Sequence, residues 1–267
     1  MNPKTLIDLF TQTANQDHIV KFYQNQNSLG EVVYNFINTG LQEGAAVILV
    51  ARKSHWKDFG RRLAAGGIRT QDLEAKEQLK VLDVEKILES LMVNGIPDKK
   101  IFLKTIGGLI HKVQTKGRYA EIRVYGEMVD LLWQKGDIQA ALQLEDFWND
   151  LLRTNSFSLL CAYHIDVLDK RVHNGSLHEI CKAHSHIIPS DNYTKLEHAV
   201  SRAVNEVLGP LQAKMLQFLV AIHKGFQPSK MPDPQSILIW LSENMPLIAI
   251  KVLMRSRIYY HQMGNDP

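Results

Sequence analysis

Hydrophobic and polar positions follow two alternating patterns along the chain as far as about residue 190. Short apolar runs are typical of strands that a parallel sheet buries on both faces. Between them, apolar residues recur every three or four positions, which is typical of amphipathic helices. This alternation predicts βαβ units and an α/β fold with a mostly parallel sheet flanked by helices. The predicted strands are residues 17–23, 46–51, 79–84, 121–125, 157–163 and 186–188.

The helices predicted between these strands carry signals at their ends. Two capping boxes, Ser28 with Glu31 and Ser176 with Glu179, predict helix starts. Gly44 is predicted to close the first of these helices. The predicted helical segments are residues 28–41, 55–65, 86–92, 101–113, 129–152 with an interruption at 136–137, and 176–183.

The pattern changes at Asp191, after which no strand signal remains. Apolar residues at helical spacing predict one long helix that restarts at Gly209-Pro210, where proline suits a first helical turn. A proline-containing loop, 225–234, precedes a second helical stretch from Gln235, which restarts at Pro246. The predicted organisation is therefore a lead-in (1–14), an α/β domain (15–190) and a helical C-terminal extension (191–267).

Charge and cysteine content exclude several classes of protein. The 31 basic and 28 acidic groups nearly balance, so no broad basic face for direct nucleic-acid binding is expected. The two cysteines suit a reducing compartment, and the N-terminus lacks a signal peptide, which predicts a cytoplasmic protein. The apolar stretch 236–254 contains Glu243 and Lys251, which are costly at bilayer depth, so no association with a membrane is expected.

Five strings of the chain are distinctive: DHIVKFY (17–23), RVYGEMVDLLW (123–133), LEDFWNDL (144–151), FSLLCAY (157–163) and CKAHSHIIP (181–189). Together they resemble the MEDS domain, a sensory domain named for methanogen and methylotroph regulators. The resemblance covers about residues 15–190 in unbroken order, and the extension from 191 lies outside it. One departure is visible, because this chain has Gly44-Ala45 where the family tends to have Gly-Glu.

This resemblance implies a degenerate sheet of the RecA/KaiC type. It also implies that the domain senses small molecules, including hydrocarbon derivatives, as the input module of transcriptional regulators or histidine kinases. A partner signalling protein is therefore expected.

Nucleotide chemistry is not expected, because the chain lacks a P-loop. That loop needs G-x-x-x-x-G-K-[S/T] after the first strand, to hold phosphate and Mg²⁺. Residues 23–30 contain no such motif, and no lysine lies between Lys21 and Lys53. No G-x-S-x-G turn that would expose a nucleophilic serine is present either. We therefore expect no enzymatic activity and no cofactor.

Most candidate ligand-binding residues lie where predicted strands end, since ligands bind at the carboxyl edge of open parallel sheets, whereas His18 lies at the start of the first strand. Three of them are tyrosines at strand ends, which suit an apolar pocket for a small organic molecule. Glu127 is either a polar anchor in that pocket or a charge that complements a helix dipole. The aromatic residues equally suit core packing, and His18 equally suits a structural hydrogen bond. The candidates are His18, Phe22, Tyr23, Tyr125, Glu127 and Tyr163.

A metal site is weakly indicated by Cys181-x-x-His184-x-His186, with Cys161 as a possible fourth ligand. A histidine at a helix end also has a structural role beside the helix dipole, and a free cysteine in an apolar strand is common. No metal is therefore predicted.

Two functions remain open on the sequence alone. In the first, a small molecule, or an anionic one, binds at the strand edge and biases the helical extension, which relays the signal to a partner. In the second, the sheet binds no ligand, and the apolar helices of the extension mediate dimerisation or docking to a signalling protein. A homodimer is expected, and an enzyme with residual nucleotide chemistry is the least favoured alternative.

Overall fold

The structure is a computed structural model that describes residues 3–13, 15–173, 175–225 and 232–264. It comprises two compact units, residues 1–164 and 165–267. The boundary between them precedes Asp191, where the hydrophobic pattern changes from α/β to helical.

The first unit is built on five parallel strands in the order β3-β2-β6-β7-β1. Strands β1 and β2 are buried along their whole length, as the apolar runs predict. Two short strands, β4 and β5, form a separate antiparallel pair. The α/β class and the parallel sheet are thus confirmed. The strands are β1 His18–Tyr23, β2 Ala46–Ala51, β3 Leu79–Asp83, β4 Met92–Val93, β5 Ile96–Pro97, β6 Ile122–Gly126 and β7 Ser158–His164.

Helices cover both faces of this sheet. Helix α2 packs against α3 and contacts β1, β2 and β6, whereas α5, α7 and α8 contact strands between β3 and β7. Right-handed crossovers put α2 and α3 on one face of the sheet and α5 to α9 on the other. Helix α2 buries the apolar face that its spacing predicts, including Val33 and Phe36. The helices are α1 Pro3–Thr11, α2 Gln26–Gln42, α3 Lys53–Ala65, α4 Thr70–Ala75, α5 Val84–Leu91, α6 Lys99–Phe102, a π-helical turn Leu103–Gly107, α7 Gly108–Thr115, α8 Met128–Gln134 and α9 Ile138–Thr154.

The N-terminal segment forms a helix where the sequence predicts only a polar lead-in. Phe10 of α1 is fully buried, and its ring meets that of Phe36 edge-on, with the centroids 5.3 Å apart. The guanidinium of Arg123 donates to the carbonyl oxygen of Phe10 over 2.9 Å. A helix of nine residues is too short to be stable in isolation, so these tertiary contacts decide the position of α1.

The two helices predicted from capping boxes are confirmed, but neither has the predicted serine as its N-cap. Helix α2 begins at Gln26, because the side chain of Asn25 accepts a hydrogen bond from the backbone N–H of Asn27 (2.8 Å) and caps it. Ser28 therefore lies inside the first turn. Helix α10 (Ser176–Ala183) is preceded by Gly175, whose φ of 99° only glycine adopts without strain, so Ser176 is already helical.

The second unit is mainly helical and carries one short strand, β8. Helices α12 and α14 begin at Pro210 and Pro246, so both predicted restarts are confirmed. Most of the predicted loop 225–234 lies outside the described residues. In the described ranges, no helix has the length and apolar character needed to cross a membrane. The elements are a 3₁₀ turn Lys170–His173, α10 Ser176–Ala183, β8 His186–Ile188, α11 Tyr193–Leu208, α12 Pro210–Gly225, α13 Asp233–Asn244 and α14 Pro246–Gln262.

Candidate functional site

The connections that leave the neighbouring strands β2 and β6 determine where a crevice for a ligand lies on this sheet. The chain leaves β2 through α3 and returns as β3 on one side, whereas it leaves β6 through α8 and α9 and returns as β7 on the other. Where the connections diverge in this way, open α/β sheets bind ligands at the carboxyl ends of the strands. The first residues beyond β2 and β6, Arg52 and Glu127, are both charged.

Glu127 is the centre of a buried polar network at this edge. Its Oε2 accepts hydrogen bonds from the backbone N–H of Arg52 over 2.8 Å and from the Arg52 guanidinium over 3.4 Å. Its Oε1 accepts from the hydroxyl of Tyr125 (2.9 Å) and lies 2.7 Å from Nδ1 of His55. Glu127 immediately precedes α8 but makes no capping hydrogen bond, because its carboxylate is turned toward these groups.

Asp130 extends the same network to two further strands. Its Oδ2 accepts from the hydroxyl of Tyr23 over 2.9 Å, from Nη1 of Arg52 over 2.8 Å and from the amide of Gln134 over 2.8 Å. Its Oδ1 accepts the backbone N–H of His164 at the end of β7 over 2.8 Å. We call this set the edge network. Its members are Tyr23, Arg52, His55, Tyr125, Glu127 and Asp130.

The edge network contains more carboxyl groups than guanidinium groups. Two carboxyl groups surround one guanidinium, and within the described chain the buried Nη2 of Arg52 has no hydrogen-bond acceptor. Burial lowers the pKa of Arg52, but the neighbouring Asp130 and Glu127 outweigh it and raise that pKa. Burial, followed by the charge of Glu127, raises the pKa of Tyr125 well above its usual range. The guanidinium thus keeps its charge and one unused donor at the crevice.

A second buried polar cluster surrounds Glu145 of α9. The hydroxyl of Tyr163 donates to its Oε1 over 2.5 Å, and Nε2 of His18 lies 3.3 Å from its Oε2. The sulfur of Cys161 lies 3.5 Å from Nε2 of His18 and 3.9 Å from Oε2 of Glu145. Nδ1 of His18 lies 3.0 Å from the side-chain oxygen of Asn149. These five residues are called the Glu145 cluster.

The six predicted site residues are all buried, and five of them divide between the two clusters. Tyr23, Tyr125 and Glu127 belong to the edge network, whereas His18 and Tyr163 belong to the Glu145 cluster. Phe22 packs near the ring of Tyr163, with the centroids 6.5 Å apart. The tyrosine hydroxyls bind carboxylates of the protein itself.

Sequence reasoning missed Arg52, His55, Asp130, Glu145 and Asn149. Two of them carried a usable signal. Arg52 directly follows a buried strand, just as Glu127 does, so the rule that selected Glu127 also selects Arg52. Glu145 is a charged residue on the helix face that buries Ala141, Trp148 and Leu152, and a charge in that position requires a partner.

The weak metal candidates Cys181, His184 and His186 belong to the second unit, and each has different neighbours. Cys181 is buried in α10, and burial raises the pKa of its thiol. Nδ1 of His184 lies 2.6 Å from the carbonyl oxygen of Ile180, and Nδ1 of His186 lies 2.9 Å from the hydroxyl of Ser185. Within the described ranges, the ligand atoms of Cys181, His184 and His186 do not gather within 4.8 Å of one another.

Comparison with known proteins assigns the family. No curated protein matches the chain. The family model of MEDS, described as the methanogen/methylotroph, DcmR sensory domain, matches residues 17–185, which is more than half of the 267 residues. The match includes the edge network and the Glu145 cluster. This chain therefore belongs to the MEDS family of sensory domains.

Proposed function

We propose that this protein is a cytoplasmic, non-catalytic sensor that binds a small organic molecule at the carboxyl edge of its sheet, between β2 and β6. The observation that carries this proposal is the guanidinium of Arg52, which lies at the crevice with a buried Nη2 that has no acceptor in the described chain. A buried donor without a partner costs free energy, so a ligand oxygen in that position would be favourable. The sensory character of the family agrees with such a role.

The composition of the edge network favours a neutral ligand over an anion. One guanidinium already faces the carboxylates of Glu127 and Asp130, so an anionic ligand would bring a third negative charge to it. The surroundings of the network are apolar, since the buried rings of Phe59 and Tyr125 meet edge-on beside it with centroids 5.6 Å apart. A short alcohol, aldehyde, ketone or amide has both the oxygen and the small apolar body that this site calls for.

A signal would arise because Arg52 joins the ends of several strands. Its guanidinium bonds Glu127 after β6 and Asp130, which in turn holds Tyr23 of β1 and His164 of β7. A ligand that binds Nη2 would favour one arrangement of these bonds, and only such a difference in affinity can shift a conformational equilibrium. The helical extension would pass the change to a signalling protein.

The test is a thermal-shift screen of the full chain with short alcohols, aldehydes, ketones and amides, together with matching carboxylates and ATP with Mg²⁺. A ligand that binds the folded state raises the melting temperature. We expect a neutral compound to raise it in the wild type, with the shift lost in Arg52→Lys, which keeps the charge but lacks the planar fork. Arg62→Lys is the matched control, since Arg62 lies in α3, the helix that Arg52 immediately precedes, and pairs with Asp58 (2.7 Å).

Several outcomes would contradict the proposal. If a compound raises the melting temperature of Arg52→Lys as much as that of the wild type, the ligand binds elsewhere. If no compound of the panel raises the melting temperature of the folded wild type, the proposed ligand binding is wrong. A shift produced by ATP with Mg²⁺ would show that nucleotide binding survives without the P-loop.

A second candidate function, a dimerisation module, is favoured by the exposed face of α12. Leu211, Met215, Phe218 and Ile222 are 67%, 59%, 67% and 45% exposed, and their spacings of four, three and four residues form a heptad seam. Among the side chains of this helix that the structure describes, those of Ala213, Leu216 and Val220 are buried on its other face. Apolar stripes of this kind mark protein interaction sites.

We propose that a second copy of the chain covers this seam. A two-fold axis that crosses α12 between Leu216 and Gln217 would place Leu211 against Ile222 and Met215 against Phe218, so the seam is complementary to itself. The chain segment 211–222 contains one charged residue, Lys214, and no acidic one. A seam with so little charge selects an apolar partner rather than an oppositely charged one.

A further inference from the structure

His18, Glu145 and Cys161 bring three different metal-ligating atoms together in the interior of the first unit. The imidazole Nε2, the carboxylate Oε2 and the thiol sulfur are separated by 3.3, 3.5 and 3.9 Å. The side chains come from β1, α9 and β7, and each residue is at most 2% exposed. Such a set of nitrogen, oxygen and sulfur donors is the set that zinc binds in proteins.

The spacing of these atoms matches the edges of a zinc tetrahedron. With zinc bonds of about 2.0–2.1 Å to nitrogen and oxygen and about 2.3 Å to sulfur, the tetrahedral edges are about 3.4 Å between nitrogen and oxygen and about 3.6 Å from sulfur to either. The corresponding separations are 3.3 Å, and 3.5 and 3.9 Å. A small adjustment of Cys161 would bring all three atoms into coordination.

Neighbouring groups orient two of the three donors as metal ligands require. The side-chain oxygen of Asn149, 3.0 Å from Nδ1 of His18, can only accept, so Nδ1 carries the proton and the lone pair of Nε2 points into the cluster. The hydroxyl of Tyr163 donates to Oε1 of Glu145 and leaves Oε2 to face His18 and Cys161. Metal-binding histidines and carboxylates are held by second partners of this kind.

We propose that His18, Glu145 and Cys161 bind a divalent transition metal of the zinc class and supply three of its ligands. The metal would offset the charges of a buried carboxylate and a thiolate, which are costly together without a cation. It would also fasten the first strand of the sheet to β7 and α9, which makes the site structural. This proposal does not depend on ligand binding at the edge network.

The competing arrangement is a metal-free cluster in which the thiol of Cys161 keeps its proton. Burial, followed by the negative charge of Glu145, raises the pKa of this thiol, which favours the protonated form when no cation is bound. The two arrangements differ in whether sulfur is bonded to a metal. Cobalt(II), which replaces zinc and gives a thiolate-to-metal charge-transfer band, distinguishes them directly.

The experiment uses the full chain, stripped with a chelator and titrated with cobalt(II). We expect a charge-transfer band that saturates at one cobalt per chain and is displaced by zinc, and we expect zinc to raise the melting temperature of the stripped protein. Cys161→Ser should lose the band. Cys181→Ser, which alters the other buried free cysteine, should keep it.

Two further variants separate a metal site from a hydrogen-bonded cluster. Asn149→Ala and Tyr163→Phe remove the orienting partners but no ligand, so they should retain the band and weaken metal affinity by about 10- to 100-fold. Absence of the band in folded wild-type protein would overturn the proposal without any substitution. A band that persists in Cys161→Ser, or that disappears in Cys181→Ser, would place the metal elsewhere.

Discussion

The hydroxyl of Tyr23 donates to Oδ2 of Asp130 over 2.9 Å, which ties the end of β1 to the first turn of the helix that follows β6. Asp130 is fully buried and also accepts from the guanidinium of Arg52 and from the backbone N–H of His164. One carboxylate therefore satisfies donors from three strand ends. Its removal leaves more than one buried group without a partner.

Asp130→Ala is expected to lower the free energy of unfolding by about 3–5 kcal/mol, because it leaves the buried charge of Arg52 poorly compensated. Tyr23→Phe removes a single donor and should cost about 0.5–1.5 kcal/mol. Urea denaturation of both variants measures the difference. Asp58→Ala is the control, since Asp58 pairs with the partly exposed Arg61 and Arg62 and should cost less than about 1 kcal/mol. Equal losses for Asp130→Ala and Asp58→Ala would contradict the role given to Asp130.

The buried tyrosines predict a loss of stability in alkali. Burial, and then the charge of the neighbouring carboxylate, raises the pKa of Tyr125 and Tyr163 well above the ordinary value of 10.0. A raised pKa in the folded state gives stability that is complete below pH 10 and is lost as the pH rises above it, because the unfolded chain then releases protons that the folded chain keeps.

Each such tyrosine should lower the free energy of unfolding by about 1.4 kcal/mol per pH unit above pH 10. Urea denaturation at several pH values between 8 and 11 gives this slope. In Tyr163→Phe this loss of stability per pH unit should be smaller by the contribution of one tyrosine, about 1.4 kcal/mol. This difference does not depend on what the variant does to stability at neutral pH. A slope identical to that of the wild type would show that Tyr163 ionises equally in both states.

The strands of the sheet could be predicted because their signal is local. The run 46–51 is apolar at every position, and the structure buries all of β2. Gly209-Pro210 and Pro246 likewise predicted helix restarts, since proline suits a first helical turn wherever it occurs. Local backbone chemistry decides these features, so the sequence is sufficient for them.

The polar clusters could not be predicted, because their partners meet only through the order of the strands. Arg52 and Glu127 are 75 residues apart in the chain, and they meet because β2 and β6 are neighbours. His18 and Glu145 meet because β1 lies beside β7 and α9 packs near both. Tyr163 was predicted to end a strand and lies one residue before the end of β7, but its partner depends on which face of α9 is buried against the sheet.

A side chain at Gly40 of α2 is predicted to clash with Arg123, the residue that holds the N-terminal helix α1 in place. A Cβ at this position would lie 2.4 Å from Cδ of Arg123, whose guanidinium donates to the carbonyl oxygens of Phe10 and Phe36. Because both of those bonds hold the side chain, Gly40→Ala should lower the free energy of unfolding by about 1–3 kcal/mol.

The matched control for that variant is Gly60→Ala in α3. Its Cβ would meet only Trp56, at 3.9 Å, so alanine should increase stability by up to about 1 kcal/mol through its higher helix propensity. Chemical denaturation of the two variants side by side tests the explanation. If both substitutions raise stability, Arg123 is not fixed as the structure describes.

The exposed seam of α12 predicts the oligomeric state. Met215 and Phe218 are 59% and 67% exposed within one chain, so their replacement removes little intramolecular packing. Met215→Glu combined with Phe218→Glu should convert a dimer into a monomer, as measured by light scattering after size-exclusion chromatography, because antiparallel pairing would bring these side chains together at the two-fold axis. Leu247→Glu in α14 is the control, since Leu247 is 76% exposed but lies outside the seam. A wild-type monomer at high protein concentration would refute pairing through α12, and a monomer produced by Leu247→Glu would move the interface to α14.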